Sequence, residues 1–162
     1  MQRSRTIIVA SHCVLNQNTV IPEEARSPGM MKSAVDWIEQ QGWGIVQLPC
    51  PEFTFLGPDR PGMTREQYDT PEYRRHCRTI LEPVVQQLEI YHRHGYTIVG
   101  GMGIATSPSC DPGRGVFMEE FQAMVREQGI AVDDWWQIPA TAEGRFDPND
   151  PASLFGKLSA QK

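Results

Sequence analysis

No apolar run in this 162-residue sequence approaches the roughly 20 residues needed to cross a bilayer, so no membrane-spanning segment is expected. Basic residues are also too few for a nucleic-acid surface. Lysine and arginine total 15 against 20 acidic residues, a net charge of −5, whereas phosphate binding depends on clustered cations that release counterions. The opening residues MQRSRTIIVASHC carry only a short apolar stretch and no small-residue cleavage site, so they read as a first strand and the expected location is cytoplasmic. There is no internal repeat and no low-complexity segment, and the tail after Phe146 is too polar for a second domain. A single domain over 1–162 is the expectation. Cysteine is scarce too, with four residues and no CxxC pair. In a reducing compartment these are expected to bind metal, to react or to be buried, and not to form disulfides.

What is present is an alternation of short β-branched runs with longer segments of helical period, the pattern of a parallel sheet built from βα units. Strands are expected at Thr6 to Ala10, Gly44 to Leu48, Tyr96 to Gly100 and Ile130 to Ile138. A helix from Ser27 to Gln41 would start with Ser27 as N-cap and Pro28 in its first turn, and stop at Gly42. A long helix opens at Thr70-Pro71 and ends at Gly95, with Pro83 expected to kink or split it. A third helix runs from Gly115 to Gln128, and a short one is expected near Ala152 to Ser159. The fold class is therefore α/β, a three-layer sandwich with a mainly parallel sheet of about four strands, Rossmann-like or flavodoxin-like.

Such sheets bind ligands in the crevice beyond the carboxyl ends of their strands. Cys13 follows the first strand, Cys50 the second and Cys110 the third, so three cysteines distant in sequence are expected at one edge, while Cys77 falls on the long helix. Three thiolates suit an iron-sulfur cluster with one open iron, or zinc with an open position and His12 as a further ligand. His12 stands next to Cys13 in an extended segment, which turns it to the opposite side and behind the site.

Ser11-His12-Cys13-Val14-Leu15-Asn16, Cys50-Pro51-Glu52, Gly57-Pro58-Asp59-Arg60 and Ser107-Pro108-Ser109-Cys110 resemble, in that order, the motifs of the 2-thiouracil desulfidase family. The resemblance implies a [4Fe-4S] cluster held by Cys13, Cys50 and Cys110, its fourth iron free to take sulfur from a small thiolated heterocycle. It implies Glu52 as acid/base and Ser109 or Ser107 as substrate contact. The sequence departs from the family where Asp111 replaces the glycine usual after the last cysteine and where Cys-Val-Leu-Asn-Gln-Asn replaces Cys-Leu-Leu-Gly, which points to a different pocket and substrate. The other readings are a non-catalytic sulfide or iron-sulfur carrier and a zinc-binding module.

The remaining candidates carry less. Asp59 and Arg60 read as a tie for their loop or an anion contact. Gly100-Gly101-Met102-Gly103 lacks the GxGxxG spacing and reads as room for a cluster or substrate. Trp135 and Trp136 must face opposite sides of a strand, which suits core packing or a homodimer contact more than stacking on a heterocycle.

Overall fold

The structure, a computed structural model, describes residues 1–157. Its centre is β1 (Thr6–Ala10), whose TIIVA run is buried on both faces as a central parallel strand requires. Ile7 and Val9 join one apolar cluster, Ile8 and Ala10 the other. β1 pairs in parallel with β2 (Gly44–Gln47) on one side and with β3 (Thr97–Ile104) on the other. β3 pairs in parallel with β4 (Asp134–Ile138), and β5 (Leu154–Lys157) adds antiparallel to β4. The sheet thus has five strands in the order β2-β1-β3-β4-β5, one more than the sequence suggests.

The two faces are covered by different helices. α2 (Lys32–Gln41) lays Ala34 and Ile38 on one face with Met102 and Ile138. α5 (Pro71–Arg93) and α6 (Val116–Glu127) cover the other through Leu81, Val85, Leu88, Phe117 and Phe121. This is an α/β sandwich. Three short helices, α1 (His12–Leu15), α3 (Pro51–Leu56) and α4 (Arg65–Tyr68), follow β1 and β2. Among the described residues no helix is long and apolar enough to cross a membrane.

Several expected boundaries move for local reasons. α2 begins at Lys32 and not at Ser27, because Gly29 and Met31 spend their backbone groups on the segment after β1: Gln17 N donates to Gly29 O at 2.6 Å, and Met31 N to Val14 O at 2.9 Å. Pro83 does not split α5. It occupies an exposed position while Leu81, Val85 and Leu88 hold the opposite stripe in the core, so the lost backbone hydrogen bond falls on the solvent side. The expected terminal helix is replaced by a 3-10 turn, Pro151–Ser153, capped by Asp150, and then by β5, which pairs the otherwise open edge of β4. Leu158 and Ser159 lie outside the described residues.

The glycine run after Val99 lies inside β3, which is longer than the sequence suggests. Its glycines make room for protein. A Cβ on Gly101 would overlap the Trp135 ring, and one on Gly103 would lie 2.7 Å from the Cys110 carbonyl. Gly103 therefore lets the Cys110 loop fold back onto its own strand, where Ile104 N donates to Cys110 O at 3.0 Å. Gly115 serves the same loop from the other side, since a Cβ there would fall inside the Ser109 carbonyl. Gly115→Ala is therefore expected to destabilise the protein by about 1–3 kcal/mol, the usual cost of overpacking a tight site. Gly29→Ala, with open space around it, should stay within about 0.5 kcal/mol. Urea unfolding of the two variants checks this, and equal stabilities would contradict the packing described.

Candidate functional site

Beyond the carboxyl ends of the strands lies a cavity of about 480 Å³ whose wall includes Cys13, Cys50 and Cys110. Cys13 sits in α1, Cys50 is the N-cap of α3, and Cys110 belongs to the loop folded against Gly103. Each is half-buried. Cys77 is fully buried in the α5 side of the core, away from this wall.

The three thiols lie within electrostatic reach of one another. Burial, followed by the charge of Cys50, pushes the Cys13 thiol up to about 12. Cys110 is raised well above the ordinary range by burial and then by Cys13 and Cys50. Cys50 is raised by burial, against which the Phe53 N–H and the Thr19 hydroxyl favour its thiolate. Three thiolates in this cavity disfavour one another unless a cation joins them. Among the described residues, however, no three His, Cys, Asp or Glu side chains converge closely enough to chelate a single ion. The buried Ser11 hydroxyl adds a further sign. It has no hydrogen-bond partner among the described residues.

Glu52 stands in the first turn of α3, two residues beyond Cys50 and on the wall of the same cavity. Ser109 Oγ donates to its Oε2 at 2.7 Å, and Tyr68 OH donates to its Oε1 at 3.2 Å. Arg60 Nε reaches the same Oε1 at a long 3.4 Å. With two donors on Oε1 and one on Oε2, the open lone-pair direction belongs to Oε2. Behind Ser109 the buried Tyr73 OH lies 2.6 Å from the serine oxygen. Because Ser109 gives its only proton to Glu52, Tyr73 donates to Ser109. Burial raises the pKa of both phenols, so they stay protonated as donors.

Both serines lie on the cavity wall, and each also has a partner within the protein. Ser109 is fully buried and holds Glu52 in place, while Ser107 Oγ accepts from the backbone N–H groups of Ser109 (3.3 Å) and Cys110 (3.0 Å) and so shapes the loop. Asp111 shapes it further. Its carboxylate accepts from the N–H groups of Thr106 (2.7 Å), Gly113 (2.9 Å) and Arg114 (3.1 Å), and it holds Thr106 at φ +65, a left-handed conformation unusual for a β-branched residue. His12 opens the helix α1 and does not lie in the extended segment expected; it still turns behind the site, its Nδ1 donating to Leu48 O at 3.2 Å. Arg60 binds Gly57 O and Thr19 O as well as Glu52, which makes it the tie of its loop; Asp59 does not line the cavity.

Over 132 residues the chain is 39% identical to the uncharacterized protein MJ0003 of Methanocaldococcus jannaschii, an alignment that takes in 80% of this chain and 84% of that one. The chain belongs to that protein's family. No family model matches the sequence, and no solved structure does.

The sequence did not single out Tyr68 and Tyr73, which bond Glu52 and Ser109, or Arg26, which lines the same cavity. The two tyrosines sit at apolar positions of helices and look like core, which they also are; only the meeting of α4, α5 and the Cys110 loop turns their hydroxyls toward Glu52. The raised thiols give a direct test. In metal-free protein the rate of Cys13 alkylation by iodoacetamide, followed by mass spectrometry of its peptide, should keep climbing beyond pH 9, the ordinary thiol midpoint, toward about 12. A plateau near pH 9 would contradict the burial and charge assigned to this wall.

Proposed function

We propose that this protein is a desulfidase-like enzyme that removes sulfur from a small thiolated compound, using a [4Fe-4S] cluster held by Cys13, Cys50 and Cys110. The observation that carries the reading is a single cavity lined by three cysteines and by one carboxylate whose orientation is fixed by Ser109, Tyr68 and Arg60. The donor set fits the cluster. A single zinc ion would need its ligands within about 2.3 Å of one point, and no such group of side chains occurs among the described residues. A cluster spreads its thiolates over different irons and so does not need the three sulfurs to meet at one point. The strand order, with the cavity at the ends of β1 and β3, supports a flavodoxin-like reading of the fold, to which β5 is an antiparallel addition.

When bound, the cluster would supply an open iron as a soft Lewis acid for the thiocarbonyl sulfur. The overall change is a hydrolysis: the oxygen of water bonds to carbon, the carbon–sulfur bond breaks, and sulfide leaves with no change in oxidation state. Glu52 is placed to take a proton from that water on the open side of Oε2 and to return it to the departing sulfur or ring nitrogen. Ser109 and Tyr73 hold the carboxylate and do not move the proton outward, since the chain ends at a phenol that is fully buried.

Glu52→Gln should keep iron and fold but lower sulfide release from a panel of thiolated pyrimidines and thioamides by at least about 100-fold. Serine at Cys13, Cys50 or Cys110 should abolish iron binding, and Cys77→Ser should leave it unchanged. Full activity in Glu52→Gln would remove the carboxylate from the chemistry. Iron-loaded protein that releases no sulfide from any member of the panel would favour a sulfide or cluster carrier.

A further inference from the structure

Five arginines are half-buried: Arg26, Arg60, Arg65, Arg74 and Arg78. Arg60 pairs with Glu52, Arg65 with Asp69 and Glu119, Arg74 with Asp69, Glu119 and Glu120, and Arg78 with Glu120 and Glu127. Of these five, Arg26 alone has neither a carboxylate partner nor a hydrogen-bond acceptor for its guanidinium among the described residues. It lines the same cavity as the three cysteines and lies within electrostatic reach of Cys13.

Its position is built. Arg26 N donates to Gln17 Oε1 at 2.9 Å, and Gln17 Nε2 donates to Cys13 O at 2.8 Å, so the buried Gln17 clamps the arginine to the backbone of a cysteine on the cavity wall. Farther out, a Cβ on Gly144 would lie 2.6 Å from Arg26 Cδ. A side chain there would displace the stem, and glycine, at φ +59, leaves it a fixed channel. Glu23 and Glu24 also border the cavity, but both are exposed, where water and salt screen them.

We propose that Arg26 is an anion subsite and that the compound occupying this cavity carries a carboxylate or phosphate alongside its reactive group. A guanidinium offers five donors in a fixed fork matched to the oxygens of such anions, and with no acceptor from the protein these donors stay open to a ligand on the cavity wall. That the reactive group is a thiocarbonyl rests on the function proposed above; the anion subsite does not.

The test measures binding of sulfur-free probes to anaerobically prepared protein by calorimetry, in two pairs: orotate against uracil, and uridine 5′-monophosphate against uridine. Wild type should prefer the anionic member of at least one pair by roughly 10-fold to 100-fold, the range for a hydrogen bond to a charged group, and which pair responds tells carboxylate from phosphate. Arg26→Gln should abolish that preference without changing affinity for the neutral member, and Arg26→Lys, which keeps charge but not the fork, should restore only part of it. No preference in wild type, or equal weakening of both members by Arg26→Gln, overturns the proposal. So does a variant that loses iron while keeping the preference, for Arg26 would then serve the thiolates. Failure to release sulfide from thiolated compounds would overturn the desulfidase reading and leave these binding ratios untouched.

Discussion

The parallel pairing of β1 with β3 is the constraint on which the site depends. β2 lies on one side of β1 and β3 on the other, so consecutive crossovers leave in opposite directions and the loops after β1 and β3 part at their carboxyl ends. The cavity occupies that gap. Cys13 and Cys110 enter it from the two strands that flank the gap, and Cys50 comes from the neighbouring strand through Leu48 N, which donates to Ala10 O at 2.8 Å. Moving β3 to the far side of β2 would leave every local motif intact and separate the cysteines.

Two sets of interactions then act on this frame. The three thiols, half-buried on one cavity wall, resist ionisation. Glu52 is instead held by donors from Ser109, Tyr68 and Arg60, which fix its orientation. A cationic centre that draws charge onto the sulfurs would complete the first set without disturbing the second. The division also explains why the loop after β3 is so heavily tied. Gly103, Gly115, Ser107 and Asp111 all fix the backbone that carries both Ser109 and Cys110, so one loop positions a sulfur and the orienting group of the carboxylate.

Much of this was legible in the sequence because it rests on local chemistry. The β-branched run at Thr6 to Ala10, the Thr70-Pro71 opening of α5 and the Gly115 boundary of α6 each carry their own signal, and the rule that ligands gather at strand ends brings Cys13, Cys50 and Cys110 together. Cys77 is set apart by the same rule. What was not legible depends on contacts between distant segments. Ser27 looks like a helix cap until Gly29 and Met31 are seen bonded to the segment after β1. The residues near Ala152 look helical until the open edge of β4 claims them. The motif places Ser109 beside a cysteine on the cavity wall, but only the approach of α3 and α5 shows its hydroxyl bonded between Glu52 and Tyr73. Arg26 has no motif at all; its importance lies in lacking a partner, which no linear pattern records.

Iron, zinc and acid-labile sulfide per chain, in protein purified and reconstituted without oxygen, test whether the three cysteines carry a polynuclear iron-sulfur centre. The account requires about four irons and about four sulfides per chain, the composition of a cubane cluster. Stoichiometric zinc with no iron, or no metal at all after reconstitution, would contradict it.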